Sequence, residues 1–283
     1  MPKKILITGA NSYVGTSFEK YMSQWPDEYQ IDTIDMIGDS WRNKSFSGYD
    51  VVFHVAGIAH QKETKENAHL YYEINRDLAI ESAKKAKSDG VSQFIFMSSM
   101  SVYGKVVGKI SSSTHPSPLN AYGKSKYEAE RVLKELHSKS FKIAILRPPL
   151  IYGFASKGNF QKLLKLATLS PLFIDTNCQR SMIYIDNLTF FIRQIVDNSL
   201  EGIYLPQNED YVNPANMYAV IRRVQGKNTI VIKISSDIIK RCISHVPVLN
   251  KLFCTLIYDK QSATQCNYIP YIKTITDSLE VKK

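Results

Sequence analysis

The chain has 283 residues, 44% of them hydrophobic, which is enough for one large α/β unit together with a smaller lobe. The formal net charge is +10, but the lysines are spread along the chain, so no nucleic-acid partner is expected. Four cysteines without a C-x-x-C pair argue against a metal site or a disulfide framework. No secretory signal and no run of eighteen apolar residues is recognised, which predicts a cytoplasmic protein without stable membrane insertion.

A glycine-containing turn follows the first predicted strand. The apolar run at residues 5–7 is typical of a buried strand, and the spacing Gly9-x-x-Ser12-x-x-Gly15 leads from it into a helical pattern. Such a turn directs the free N–H groups of the helix at an anion and is suited to a pyrophosphate. Because Ser12 replaces the usual middle glycine, the turn alone also fits an ordinary strand–helix connection. The residues that would contact a dinucleotide are Gly9, Asn11, Ser12, Tyr13, Val14 and Gly15.

An acidic residue lies at the end of the second predicted strand, residues 31–36. Asp35 follows the glycine turn by about twenty residues, a position from which a carboxylate can hydrogen-bond the adenosine ribose hydroxyls. The alternative is an exposed aspartate at a strand end that binds nothing. A carboxylate would repel the 2′-phosphate of NADP(H), so Asp35 favours NAD(H), while Arg42 nearby keeps NADP(H) open.

The third predicted strand, residues 50–57, is almost continuously apolar, as is typical of a parallel strand covered on both faces. Small residues at its end would let a cofactor lie against the backbone, and the candidates are Val55, Ala56 and Gly57. His54 in this strand is interpreted as a packed core residue. Asn75, in the next predicted helix, is either a polar residue at the edge of the core or a link between strand ends.

Three residues in the middle of the chain have the pattern of an acid–base site. Tyr122 and Lys126 are four residues apart on a predicted helix and share one face, so the ammonium group would lower the tyrosine pKa toward neutrality. Ser99 closes the preceding strand, and its hydroxyl could bond the same reacting oxygen. Together they would suffice for hydride transfer at a carbonyl or secondary alcohol. Because the Tyr-x-x-x-Lys spacing is common by chance, the surrounding order of motifs carries the interpretation.

Strands and helices alternate at least five times up to Arg147, which predicts an α/β fold with a Rossmann-type doubly wound parallel sheet. The ligand of such a sheet binds over the carboxyl ends of its strands. Beyond residue 153 the segments shorten and prolines become frequent, which predicts a small C-terminal lobe. The predicted domains are residues 1–153, with 179–200 interleaved, and residues 154–283.

Taken together, these motifs resemble the extended short-chain dehydrogenases/reductases of the NAD-dependent epimerase/dehydratase family. The resemblance also includes Val102-Tyr103-Gly104, the segment from Arg147 to Gly153, and residues 158–160 and 180–188. It implies a Rossmann domain that binds NAD(P), a lobe that holds a UDP-sugar, and a homodimer. The further cofactor contacts that it implies are Asn75, Tyr122, Lys126 and Pro149. The substrate contacts that it implies are Ser99, Met100, Asn159 and Arg180. A surface salt bridge is the competing interpretation of Arg180.

Two reactions at carbon 4 of the sugar fit the resemblance. Dehydratases of the family carry an Asp-Glu pair directly after the catalytic serine or threonine, and Met100 and Ser101 at these positions disfavour a dehydratase. Residues 158–160 and 180–188 are most similar to reductases and epimerases of surface-polysaccharide synthesis. The sequence therefore favours reduction of a UDP-4-keto-6-deoxy-N-acetylhexosamine, of the UDP-N-acetylquinovosamine type. The alternative is a UDP-sugar 4-epimerase, which Asp35 favours because tightly held NAD suits that reaction.

Two further hypotheses concern other classes of protein. A non-catalytic NAD(P)-binding regulator is opposed by the intact set of Ser99, Tyr122 and Lys126. Residues 236–258 mix apolar residues with lysine and arginine, and they are expected to form two amphipathic helices packed on the second lobe. Weak peripheral contact of this segment with a membrane surface is the alternative.

Overall fold

The computed structural model describes residues 1–59, 61, 63–153, 155–156, 158–235 and 253–260, with only the backbone of Asn159. The chain divides into two compact units. Unit 1 comprises Met1–Gly104, Pro116–Pro148 and Leu188–Pro206, and unit 2 comprises Lys105–His115, Pro149–Asn187 and the described part of Gln207–Lys283.

Strands and helices alternate along most of the chain. The strands are β1 (Lys3–Thr8), β2 (Tyr29–Ile34), β3 (Val51–His54), β4 (Gln93–Met97), β5 (Gly108–Ile110), β6 (Lys142–Leu146), β7 (Leu150–Tyr152), β8 (Leu172–Asp175), β9 (Met182–Tyr184), β10 (Gly202–Tyr204), β11 (Ile230–Lys233) and β12 (Leu256–Tyr258). The helices are α1 (Tyr13–Met22), α2 (Ala68–Tyr72), α3 (Leu78–Ser88), α4 (Ala121–Leu136), α5 (Asn159–Leu169), α6 (Ile185–Asp197) and α7 (Pro214–Val224). A π-helical turn, Glu73–Asp77, joins α2 to α3, and a 3₁₀ turn, Met100–Tyr103, follows β4.

A six-stranded parallel sheet lies at the centre of unit 1, in the order β2-β1-β3-β4-β6-β10. Every residue of β3 and β4 is buried. Helices cover both faces of such a sheet, and this is why the central strands are continuously apolar in sequence. The predicted Rossmann-type doubly wound parallel sheet is confirmed.

The strand order reverses beside β1, because the chain runs from β1 to β2 on one side and then to β3 on the other. Thr8 and His54 are paired in register at the ends of β1 and β3, and Thr8 Oγ1 lies 2.7 Å from His54 Nδ1. His54 is fully buried, which confirms its interpretation as a core residue, and burial lowers its pKa to about 3. Ligands of open α/β sheets bind at such a switch point.

Two strands end earlier than the sequence predicts, and both differences affect the switch point. β2 ends at Ile34, so Asp35 stands just beyond the strand. β3 ends at His54, because the N–H groups of Val55 and Ala56 both donate to Thr8 O, at 3.0 and 2.9 Å, and break the regular ladder. Residues 55–57 consequently form an irregular segment after β3 rather than its last strand residues.

Unit 2 contains the parallel pairs β5–β12, β7–β9 and β8–β11, and α7 packs against both α5 and β8. Residues 236–252, in the segment expected to form two helices, lie outside the described residues. The helical prediction is wrong for Leu256–Tyr258, which is the strand β12. Pairing with β5 and the burial of Leu256 and Tyr258 stabilise the strand instead. Within the described ranges, no helix has both the length and the apolarity to cross a bilayer.

Candidate active site

The glycine turn at residues 9–15 packs tightly against the end of β3. Gly9 has a φ of +109°, and a Cβ at this position would lie 2.6 Å from Ala56 N. Any other residue would therefore combine backbone strain with a clash against main chain. A Cβ on Gly15 would lie 2.5 Å from Ser12 Oγ and 3.1 Å from Val55 Cγ2. The two glycines thus bring the loop close to both β1 and β3.

Ser12 has a structural role in this turn. It is the N-cap of α1, and its Oγ accepts a hydrogen bond from Gly15 N at 3.2 Å. The first-turn amides of an α-helix point out of its N-terminus, and the helix dipole favours an anion there. The Ser12 hydroxyl binds only one amide of the turn, that of Gly15. A serine at the usual glycine position is therefore compatible with an anion site.

Asp35 directly follows β2, and its carboxylate is exposed at the sheet end beside β1. Its Oδ1 accepts a hydrogen bond from Ile37 N at 3.0 Å. Arg42, the residue that kept NADP(H) open, pairs with Asp39 and lies 2.5 Å from Glu81 Oε1. Two carboxylates therefore engage the arginine that the sequence offers to a 2′-phosphate.

Asn75 and Lys126 meet beside Gly57. Asn75 is fully buried in the π-helical turn; its side chain accepts from Ile58 N at 2.9 Å and donates to Ile58 O at 3.0 Å. A Cβ on Gly57 would lie 2.7 Å from Asn75 Oδ1 and 3.3 Å from Lys126 Nζ. The absence of a side chain at Gly57 therefore lets its backbone lie close to the Asn75 amide and the Lys126 amine.

Helix α4 places Tyr122 against the segment that follows β4. Asn120 caps the helix by accepting from Gly123 N at 2.8 Å. A Cβ on Gly123 would lie 2.7 Å from Ser101 O, so this glycine permits the close approach of the helix. The Tyr122 hydroxyl interacts with the Ser99 side chain, whose Oγ also accepts from Ser101 N at 3.1 Å. The structure thus brings the predicted serine and tyrosine together.

The ionisation of this pair differs from the sequence-based expectation. Burial raises the pKa of Tyr122 above its ordinary value, and the hydrogen bond with Ser99 opposes this shift. Burial lowers the pKa of Lys126 to about 7, although the Glu130 carboxylate opposes it, and Lys126 Nζ donates to Met97 O at 2.9 Å. The prediction that Lys126 lowers the tyrosine pKa is wrong for this structure, since burial outweighs the effect of a partly neutral amine.

Sequence reasoning missed a buried ion pair beneath the site. Arg147 Nη2 lies 2.5 Å from Glu130 Oε2, and both side chains are almost inaccessible to solvent. Glu130 also accepts from Ser98 Oγ at 2.5 Å, and Arg147 Nη1 donates to Tyr103 OH at 2.8 Å. Because Glu130 lies one turn beyond Lys126 and Ser98 precedes Ser99, the pair fixes α4 relative to the serine-bearing segment.

A carboxylate at the start of α4 was also missed. Glu63 Oε2 accepts from Ala121 N at 2.8 Å, directly before Tyr122. The Tyr71 ring lies edge-on to the Tyr122 ring with the centroids 6.2 Å apart. Glu63 and Tyr71 therefore help to orient Tyr122 in addition to Ser99, and no spacing in the sequence signals their contribution.

The remaining candidates lie at the start of the 3₁₀ turn or in unit 2. Met100 begins the turn, and its N–H donates to Pro148 O at 2.9 Å. Pro149 is buried at the beginning of a unit 2 segment, and Asn159 is the first residue of α5, with its side chain outside the described residues.

Arg180 is the unit 2 candidate that the structure characterises best. Its Nη1 donates to Cys254 O at 3.1 Å, and its main chain bridges Val212 through two bonds of 2.8 Å. Burial lowers its pKa from the ordinary value. In the part of the chain that the structure describes, no carboxylate pairs with it, so the competing interpretation as a surface salt bridge gains no support there.

The geometry in unit 1 supports proton transfer beside a dinucleotide. The glycine turn, Asp35 and Gly57 lie at the ends of β1, β2 and β3, which are neighbours in the sheet. Tyr122 and Ser99 present two hydroxyls at the end of β4, next in order. A phenol and an alcohol at this position can hold and exchange a proton with one oxygen of a substrate.

Comparisons with known proteins agree with this geometry. The model of the NAD dependent epimerase/dehydratase family matches residues 5–204. A UDP-glucose 4-epimerase of Vibrio cholerae is 31% identical over 243 residues, which cover 77% of this chain and 74% of that protein. An N-acetyl-alpha-D-glucosaminyl-diphospho-ditrans,octacis-undecaprenol 4-epimerase of Escherichia coli O157:H7 is 29% identical over 222 residues, or 71% of this chain and 66% of that protein.

A solved structure shares the whole fold. The crystal structure of UDP-glucuronic acid 4-epimerase from Bacillus cereus in complex with NAD covers 98% of this chain and 96% of its own, with a TM-score of 0.75 and 21% identity. The likeness in fold, the family match over residues 5–204 and the identity to the Vibrio protein point to one conclusion. The chain belongs to the NAD-dependent epimerase/dehydratase family and is an NAD(P)-dependent enzyme.

Proposed function

We propose that this enzyme is a sugar 4-epimerase that uses bound NAD and acts on a UDP-activated hexose. The observation that carries the proposal is the convergence of Tyr122 and Ser99 at the end of the sheet where Gly57 lies close to Asn75 and Lys126. Two relatives at 31% and 29% identity are named as 4-epimerases, which supports epimerisation over the single 4-keto reduction that the sequence favours. The exposed carboxylate of Asp35 agrees with NAD.

The residues present fit this cofactor. The turn at residues 9–15 would hold the pyrophosphate, Asp35 the adenosine ribose, and Asn75 and Lys126 would line the space for the nicotinamide ribose. When bound, the nicotinamide would supply the reversible two-electron oxidation at carbon 4. A keto group at that carbon lets the sugar turn over before it is reduced from the opposite face.

Tyr122 has the central part in the proton transfers. It would take the proton of the 4-hydroxyl when the sugar is oxidised and return a proton to the same oxygen when the sugar is reduced. Burial favours the neutral phenol, so the protonated form is ready to donate. Ser99 would orient the substrate oxygen. The pKa of Lys126 is about 7, so its amine is partly protonated near neutral pH. It would supply positive charge one helical turn from Tyr122 when this residue acts as a base.

The substrate contacts are proposed on chemical grounds. Arg180 is mostly removed from water, and its Nη1 donates to a carbonyl oxygen, Cys254 O. A guanidinium in these surroundings is suited to a diphosphate, which it can bind through two parallel hydrogen bonds. Asn159 is proposed as a second contact to this group. Met100 and Ser101 stand where dehydratases carry an acid and a base, so water loss has no dedicated proton carrier here.

The test incubates the purified enzyme with UDP-glucose, UDP-N-acetylglucosamine and N-acetylglucosaminyl-diphospho-undecaprenol, each without added cofactor. We expect conversion of one gluco sugar to its galacto epimer, detected by chromatography and NMR. A reductase would instead oxidise NADH or NADPH stoichiometrically with a UDP-4-keto-6-deoxy-N-acetylhexosamine and leave the gluco sugars unchanged. That result would assign 4-keto reduction in place of epimerisation, and it would not contradict the proposed roles of the site residues.

Two variants connect the reaction to the site. Tyr122→Phe should lower the turnover at least about a thousandfold, within the range for loss of a general acid/base, while NAD remains bound. Tyr127→Phe, on the same helix, is the matched control and should keep its activity. A fully active Tyr122→Phe enzyme would exclude the proposed acid–base role. The homodimer and the cytoplasmic location stay predictions.

A further inference from the structure

Unit 2 carries a cluster of exposed aliphatic side chains, here called the apolar patch. Its members come from α5, β8 and β11, and each is at least 39% exposed to solvent. They are Leu166, Leu169, Leu172, Ile230 and Ile232. Leu169, at the end of α5, is 82% exposed. Ile230 and Ile232 share one face of β11, and Leu172 pairs with Ile230 across the strands. Single exposed aliphatics are normal on a soluble protein, but a group of neighbours marks a surface that contacts an apolar partner.

The patch is held on ordered structure. β8 and β11 pair in parallel, which sets Leu172 and Ile230 side by side. The buried Tyr218 hydroxyl of α7 bonds both Leu166 O at 3.0 Å and Ser170 O at 2.6 Å, and so fixes the end of α5. Ile230 N also donates to Pro171 O at 2.7 Å. The aliphatic side chains are therefore presented to solvent by a folded scaffold rather than by a frayed end.

The surroundings of the patch carry charge of one sign. Residues 158–174 and 214–235, which form most of this scaffold, contain six lysines and arginines and no aspartate or glutamate. Arg222 is buried against Ala167 O. The other five are exposed, and they are Lys162, Lys165, Arg223, Lys227 and Lys233. Asp175, at the far end of β8, accepts hydrogen bonds from Asn177 and Asn213.

We propose that the apolar patch, with the exposed lysines Lys162 and Lys165 that share the α5 face of Leu166 and Leu169, docks unit 2 on an anionic lipid surface. Exposed leucine and isoleucine side chains can enter the boundary between headgroups and acyl chains, while lysines and arginines bind the acidic headgroups. A symmetric dimer through the patch is disfavoured, because a two-fold contact would set the cations of one copy against those of the other. This docking is independent of the reaction proposed above and concerns other residues.

The direct test places a fluorescent reporter in the patch. Leu169→Trp adds a tryptophan to Trp25 and Trp41, which both belong to unit 1. With vesicles of mixed phosphatidylcholine and phosphatidylglycerol, we expect a blue shift of the added emission and quenching by brominated acyl chains. Ile37→Trp is the matched control, because Ile37 is 83% exposed and lies in unit 1. Its emission should not change.

Charge variants test the second half of the proposal. Each lysine near an anionic surface contributes about fivefold to binding, so Lys162→Gln/Lys165→Gln should weaken sedimentation with the anionic vesicles on the order of twentyfold. Lys20→Gln/Lys44→Gln removes two exposed lysines of unit 1 and should change nothing. These readouts do not depend on activity, so a failed epimerase assay leaves them interpretable.

Several results would overturn the docking. Equal binding to anionic vesicles and to vesicles of pure phosphatidylcholine would show that the cations do not contribute. No binding to anionic vesicles would exclude docking on a membrane. An added emission in the Leu169→Trp variant that is already blue-shifted before lipid is present would mean that another part of the chain covers the patch. A shift that grows with protein concentration alone would indicate a second copy as the occupant.

Discussion

Replacing Arg147 with methionine should destabilise unit 1 far more than the loss of one surface ion pair would. Arg147 and Glu130 are almost inaccessible to solvent, and the guanidinium makes contacts of 2.5 to 3.2 Å to both carboxylate oxygens. In the variant, the carboxylate keeps the hydrogen bond from Ser98 Oγ and loses its countercharge. Burying a charge without its partner is the costly outcome for such pairs.

The size of the loss can be bounded. Breaking a buried ion pair costs about 3–5 kcal/mol in stability. We therefore expect Arg147→Met to lose about 3–5 kcal/mol. Arg147→Met/Glu130→Gln should recover a large part of the loss, because no charge remains buried.

Urea unfolding followed by tryptophan fluorescence measures these differences, because Trp25 and Trp41 both lie in unit 1, as the ion pair does. The matched control is Arg76→Met. Arg76 pairs with Glu128 on the same helix as Glu130 at 2.8 Å, but the side chains are 33% and 41% exposed, so the cost should stay below about 1 kcal/mol. A loss for Arg147→Met no larger than the control, or a double variant less stable than the single one, would refute the reasoning.

Three further predictions use the same unit. Gly57→Ala should weaken NAD binding about tenfold or more by calorimetry, because the Cβ would lie 2.7 Å from Asn75 Oδ1. The pKa of His54 is lowered from 6.5 to about 3, so between these pH values only the unfolded chain protonates this ring. The free energy of unfolding should therefore fall by about 1.4 kcal/mol for each pH unit in this range. His54→Asn should remove that part of the pH dependence of urea unfolding. Ser12→Ala should cost about 1 kcal/mol and Ser12→Gly a few tenths, since glycine tolerates the N-cap position.

The features that local patterns encode could be predicted. The sequence distances between three features specify a strand, a turn and the end of a second strand. These features are the apolar run at residues 5–7, the two glycines after it and Asp35. Tyr122 and Lys126 share a helix face by their spacing alone. Their proximity to Ser99 followed from the rule that the carboxyl ends of parallel strands meet at one edge.

Features that depend on distant residues could not be predicted. Glu130 is four residues beyond Lys126, a spacing found on any exposed helix face, and only its burial beside Arg147 distinguishes it. Glu63 and Ala121 are 58 residues apart along the chain. The predicted direction of the Tyr122 pKa shift was wrong for the same reason. The spacing reveals a neighbouring lysine, but it does not reveal the removal of water that dominates the shift.

The division of the chain into interleaved segments of two units affects how the protein folds during synthesis. The chain passes from one unit to the other five times, after residues 104, 115, 148, 187 and 206. The edge strand β10 belongs to the sheet of unit 1, yet the ribosome delivers it after the unit 2 segment Pro149–Asn187. A nascent chain that stops at Pro148 would therefore leave β6 as an unpaired edge, the kind of strand that recruits other chains. We expect truncation at this boundary to yield aggregates rather than a free nucleotide-binding domain.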